Sequence, residues 1–288
     1  MLLVLLISCV FISSTLSTNP LHNSIIRDYV SSSPAPPSFD FRSSHPSCVP
    51  PIKNQLSCNS DFAFSSTYAL AARHCLRTGT LVSPSEMELI SCSVSNGCEG
   101  GFLTHVSDYV SAQGLRSSSC YPFTQNPSSC QPNYCTEGLI GFHPVVWTHP
   151  TEYKFSVSNE WLKEELWLSG PIVVTIPLYH SFRFYSSGLY YPSVDEAIIG
   201  FTTVNLIGYD DISNTFTLSN SYGREWGLDG YFRISQNSNF SLGISVMAFD
   251  PDPELIPTDF FWFIVFGSVL GVVLAVFTCV KGIKKALR

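Results

Sequence analysis

Groups able to do covalent or acid–base chemistry concentrate in two stretches of this chain. The first, Ile52–Ser65, reads IKNQLSCNSDFAFS and carries an amide at Gln55, a cysteine at Cys58 and a carboxylate at Asp61. Ser60 is a helix N-cap candidate, with Ala63, Phe64, Ala71 and Cys75 available for the buried face of a helix running to Leu76. Asp61 then lies in the first helical turn, where the helix dipole favours negative charge by roughly 0.3–1 kcal/mol. A thiolate in such a place attacks carbonyl carbon because it is polarisable and nucleophilic near neutral pH, and a carboxylate is a poor substitute for acyl transfer. The second stretch, Thr202–Asn220, ends on another amide, Asn220. The seven histidines, His180 among them, match no catalytic pattern and read as structural or surface groups.

Several motifs, in order, resemble those of the papain-like cysteine peptidases. The first stretch is similar to the family run K-N-Q-G-S-C-G-S-C-W-A-F-S. Gln55 stands at its oxyanion-hole glutamine, Cys58 at a half-cystine, Asp61 at the nucleophile and Phe62 at a tryptophan. Leu56 and Asn59 replace family glycines, which narrows the expected groove. Asn96–Gly101 matches N-G-C-x-G-G, whose last glycine, at Gly101 beside Gly100, offers backbone hydrogen bonds to substrate. Thr202–Asp210 resembles H-A-V-x-x-V-G-Y-G, with Thr202 at the histidine; Thr202 cannot serve as a base near neutral pH. SNSYGREWGLDGYFRI at Ser219–Ile234 keeps the asparagine as Asn220 and puts Tyr222 where the family has a shielding tryptophan. The resemblance runs from about Pro37 to Asp250. It implies an α+β fold with a helical left lobe and a β-barrel-like right lobe flanking a cleft.

Those elements have local signals of their own. Ser83, Pro84 and Glu86 form a capping-box start for a second helix, which ends at Cys92. From Gly170 onward, β-branched and aromatic runs predict strands at Pro171–Ile176, Gly188–Tyr191, Thr202–Tyr209, Thr215–Ser219 and Gly230–Ile234.

The ends of the chain read differently from its middle. The apolar start Met1–Ile12 and the small residues to Ser17 predict a signal peptide over 1–17, followed by a Ser/Pro-rich lead-in over 18–36. After the domain at 37–250 and an acidic, proline-rich stalk at 251–259 comes Phe260–Val280, uncharged and about 30 Å long as a helix. Lys281, Lys284, Lys285 and Arg288 follow it. By the positive-inside rule the chain is a single-pass type I membrane protein with its bulk luminal or extracellular. Those four cations leave eleven basic residues against 22 acidic ones before the membrane run, which argues against nucleic acid as a partner. Asn239-Phe240-Ser241 is a glycosylation sequon.

Eight of the ten cysteines lie between the two apolar ends, an even number in an oxidising compartment. Their count leaves the connectivity open. The family resemblance implies Cys58–Cys98 and Cys92–Cys130. It also implies Cys120–Cys135, as in a loop bridge of cathepsin C, and Cys48–Cys75, as in an N-terminal bridge of cathepsin B.

With neither Cys nor His at the reacting positions, the expectation is a membrane-tethered, catalytically inactive relative of these peptidases, without metal or other cofactor. Its partner is then a protein or peptide ligand, or an active cathepsin-like relative. Two rivals stand beside it: an unorthodox hydrolase that activates water through Asp61, and a structural or adhesive surface protein.

Overall fold

The computed structural model describes residues 35–93, 97–127, 129–131, 143–147, 158–237 and 246–250. The expected signal peptide, stalk, membrane run and basic tail, with Asn239 and Cys135, lie outside these residues. Among the described residues no helix is long and apolar enough to cross a membrane.

Among the described residues the helices and strands fall in the compact unit Ser38–Arg288. In chain order they are β1 (Ser38–Asp40), α1 (Phe41–Ser44), α2 (Asp61–Thr78), α3 (Glu86–Cys92), α4 (Leu103–Gln113), β2 (His143–Trp147), α5 (Asn159–Ser169), β3 (Ile172–Tyr179), β4 (Ile198–Asp210), β5 (Thr215–Ser219), β6 (Tyr231–Ser235) and β7 (Val246–Asp250). The strands form one antiparallel sheet, ordered β2-β7-β3-β4-β5-β6, with β1 also paired to β4.

α2 is the central element, and nearly every residue from Phe62 to Arg73 is buried. A helix buried on all sides needs small residues for close approach and internal partners for its polar groups. Ala63, Ala69, Ala71 and Ala72 meet the first need. For the second, Ser65 and Ser66 donate to the carbonyls of Asp61 and Phe62 at 2.6 Å, and Thr67 donates to the Glu86 carboxylate at 2.8 Å. The helix ends at Gly79, whose left-handed φ of 73° turns its N–H back to the Cys75 carbonyl.

One face of α2 packs with Leu89, Ile90, Leu103, Val106 and Val110 of α3 and α4. Other α2 residues, Tyr68, Ala72 and Cys75, join Phe41, Ile207 and Tyr231. Farther along the sheet, Phe182, Tyr185, Tyr190, Trp226 and Phe232 form an aromatic cluster with ring centroids 5.0–6.3 Å apart. Two buried ion pairs are completed by further hydrogen bonds. Arg73 bonds Glu165 at 3.0 Å and the carbonyls of Gly170 and Pro171. Glu88 accepts from the Arg116 side chain, the Arg116 N–H and the Tyr109 hydroxyl.

Several local expectations need correction. Ser85, not Ser83, caps α3, accepting from the Glu88 N–H at 3.0 Å, while Ser83 pairs with Ser118 and Lys53. Ser60 makes no side-chain cap; its hydroxyl points to the Cys58 carbonyl. Gly188–Tyr191 is not a named strand but a single parallel bridge of Leu189 to Arg233. β3 and β4 run beyond their expected ends because they pair with each other as far as Tyr179 and Ile198. The strands β1, β2 and β7 and the helices α4 and α5 were not anticipated; their partners are remote in sequence.

Candidate active site

The site forms where the N-terminus of α2 meets β4. Asp61 is the first helical residue, and its Oδ2 accepts the Thr203 N–H at 2.5 Å. The hydroxyls of Thr202 and Thr203 also reach this carboxylate. Burial pushes the Asp61 pKa upward, and the hydrogen bonds from Thr203 and Thr202 only partly oppose it. The sequence thus pairs residues 61 and 202, and the structure brings them together, but the stronger bond comes from the backbone of the next residue. Thr203 was missed because a main-chain donor leaves no side-chain signature.

Tyr222 closes one flank. Its hydroxyl is in reach of the Thr202 hydroxyl, and its pKa is raised, chiefly by burial and then by the Asp61 charge. Its ring stands edge-on to Trp226 at 5.4 Å and to Phe182 at 6.2 Å. Asn54 bridges to Tyr222 across the loop before α2.

Both retained amides are turned to structural partners. Gln55 is buried; its Nε2 donates to the Cys58 carbonyl at 2.9 Å and its Oε1 accepts from the Ser221 hydroxyl. The Gln55 N–H also donates to the Ser221 carbonyl at 2.8 Å. Asn220 is buried, its Oδ1 accepting the Ser221 N–H at 2.8 Å. Ser221, which sequence reasoning passed over, therefore ties the two amides together.

Leu56 holds φ of 56° in the turn closed by the Cys58 N–H on the Gln55 carbonyl, and its side chain is 55% exposed. A left-handed leucine is strained by about 1–2 kcal/mol, which is why glycine suits this place. Asn59 is exposed and its N–H donates to the Cys98 carbonyl at 3.0 Å. Gly100 has φ of 117° with open space beside it. At Gly101 a Cβ would come within 2.7 Å of the Phe62 ring, so the helix start and this glycine are packed directly together. His180 lies outside this group, with its ring 5.6 Å from Phe184.

Three disulfides, Cys48–Cys75, Cys58–Cys98 and Cys92–Cys130, are formed, the same pairs that the family resemblance implies. Cys120 is also disulfide-bonded, so every cysteine among the described residues is oxidised. None offers a thiol to the site. Among the described residues no group of three His, Cys, Asp or Glu is placed to hold a metal ion.

Comparison with known proteins places this geometry. The family described as "Papain family cysteine protease" matches residues 35–251. The chain belongs to the papain family. Digestive cysteine proteinase 3 of Homarus americanus is 35% identical over 204 residues, covering 68% of this chain and 61% of that protein. Procathepsin L of Rattus norvegicus is 33% identical over 218 residues, covering 71% and 62%. The matched part is thus about three fifths of the length of these curated relatives. Among solved structures, procathepsin B S9 from Trypanosoma congolense is 26% identical with a TM-score of 0.67, covering 77% of this chain and 79% of that one. The Carica candamarcensis cysteine protease CMS1MS2, in complex with E-64, shares the fold with a TM-score of 0.63 at 24% identity.

These findings correct one expectation. The chain was expected not to be an enzyme, yet its papain-family relatives are proteinases by name and the family is one of proteases. What this member carries at the two positions is Asp61 and Thr202, so any hydrolysis it performs does not pass through a thiolate at residue 61.

Proposed function

We propose that this papain-family domain binds polypeptide in the cleft beside Asp61 and Thr202, and that a single C-terminal anchor holds it on the luminal or exterior side of a secretory-pathway membrane. The observation that carries the reading is the bond from the Thr203 N–H to Asp61, which joins the helix and strand sides of the site without a thiol. Gly100, Gly101, Asn59 and Tyr222 line the approach, and the ligand is an extended peptide, a protein, or an active cathepsin-like relative. The acidic balance before the apolar run favours a ligand of neutral or basic character.

A second reading is hydrolysis in which Asp61 activates water. It is favoured by the proteinase names of the relatives and by the raised pKa of Asp61, which brings a buried carboxylate nearer to useful basicity.

The full chain in detergent micelles, titrated with fluorescent peptides of mixed sequence, tests both readings in one experiment. Saturable polarisation supports binding, and cleavage lost in Asp61→Asn supports the second reading. Peptides that neither bind nor are cut would overturn the assignment of the cleft.

A further inference from the structure

Large apolar residues left on the surface are unevenly spread. Among the described residues Phe184, Tyr191, Val194, Ile198, Ile199 and Phe201 are each more than half exposed, and Val194 is fully so. Others, such as Leu81, Phe102 and Ile212, stand singly in the sequence. The fold gathers the six at one end of the sheet. Phe184 closes a turn of 3-10 helix, His180–Phe184, that directly follows β3. Ser181 in that turn donates its N–H and its hydroxyl to the Glu196 carboxylate, both at 2.6 Å, and its hydroxyl meets that of Tyr190 at 2.8 Å. β4 then starts at Ile198, opposite Tyr179, and carries Ile199 and Phe201 onward, with open space beside Gly200.

Single exposed apolar residues need no explanation, but a gathered set does. At about 150–200 Å² for a large apolar residue when fully open, the six offer roughly 600–800 Å². The largest apolar patch on a typical monomer is about 300–600 Å². A standard interface takes about 800 Å² from each partner, so these residues with a polar rim suffice for one.

We propose that this end of the sheet is the surface on which a second copy of the chain docks. Its make-up suits a two-fold contact, in which one patch meets itself and apolar against apolar is self-complementary. Charge agrees. The whole chain holds 22 acidic residues against 15 basic ones, so copies repel one another at most faces. Between positions 184 and 201 only Asp195 and Glu196 are charged, and Glu196 is turned to Ser181. A lipid surface fits the position poorly. Val173 pairs with Met247 of β7, so Asp250, and with it the anchor proposed above, leaves from the other end of β3, about 25 Å away along its eight residues. Thr202 follows Phe201 directly in β4, so the docked copy stands beside the candidate site.

Förster transfer between donor- and acceptor-labelled full chains in lipid vesicles measures their association with no detergent over the patch. Wild-type chains are expected to transfer above the level of random proximity and to saturate with acceptor density. Phe184→Asp combined with Val194→Asp should weaken association about tenfold or more, since each change removes an apolar contact and sets like charges face to face. Ile212→Asp, at the far end of β4, should leave it unchanged. Wild-type transfer at the random level overturns the proposal, as does undiminished transfer in the double variant, which would place the contact elsewhere. A chain that fails to enter vesicles speaks against the anchor alone, and sedimentation of the same chains in buffer then reads the dimer. Should the double variant fail to fold, hydrogen exchange of the wild type at low and high chain density decides. Slowing at high density confined to residues 184–201 is expected, and no slowing there refutes the surface.

Discussion

Replacing Asp61 by Asn or by Ala separates the two things its carboxylate does, accepting a hydrogen bond and carrying a charge. Thr203 is 7% exposed and its N–H has the Asp61 carboxylate as partner. Asn keeps an oxygen in the same place, whereas Ala leaves that donor unmet in a buried position. Losing the partner of a buried donor costs about 1–3 kcal/mol, so Asp61→Ala should fall below Asp61→Asn by that amount. Charge adds a pH dependence. Because burial raises the pKa of Asp61 above the ordinary 3.8, the folded chain holds more protons on this group than the unfolded chain does. Its contribution is therefore most favourable at low pH, and stability declines as pH rises from the ordinary value through the raised one. Asp61→Asn lacks that decline, so it should gain on the wild type across this window and hold the gain above it. Urea unfolding followed by tryptophan fluorescence, repeated from pH 3 to pH 7, reads both effects. Equal stability of the Ala and Asn variants would refute the Thr203 bond, and parallel pH profiles for wild type and Asp61→Asn would refute the raised pKa.

Other perturbations probe the scaffold. Glu88→Ala strips Arg116 and Tyr109 of a buried partner and should cost about 3–5 kcal/mol in unfolding free energy. Gly101→Ala drives a methyl into the Phe62 ring and should cost about 1–3 kcal/mol, visible as a lower melting temperature with the disulfides intact. Leu56→Gly relieves left-handed strain of about 1–2 kcal/mol but adds unfolded-state freedom of about 0.4–1 kcal/mol. Stability should hold or rise by up to about 1.6 kcal/mol, and a drop beyond about 1 kcal/mol would show that the exposed leucine packs on something. Protease added to sealed microsomes should trim only the basic tail after Val280, and digestion of the large domain would reverse the proposed orientation.

The motifs around Gln55, Cys98, Asn220 and Trp226 were enough to name the family, because each is a local chemical string that survives without knowledge of its neighbours. The central helix was legible for the same reason. Its alanines and apolar residues lie in one segment, and Asp61 stands at its start in sequence as in space. What sequence could not supply is pairing over distance. β2 and β7 join residues 143–147 to 246–250, and neither segment announces a partner so remote. The cap of α3 was misassigned because Ser83 and Ser85 are chemically alike, and only the surrounding fold decides which one stands before the Glu88 N–H. At the site, sequence determined which side chains stand at positions 61 and 202. Tertiary structure alone decided that a main-chain N–H from Thr203 would hold the carboxylate and that Ser221 would link the two amides. Backbone donors are the same in every residue type, so only the folding of β4 against α2 selects the one that matters.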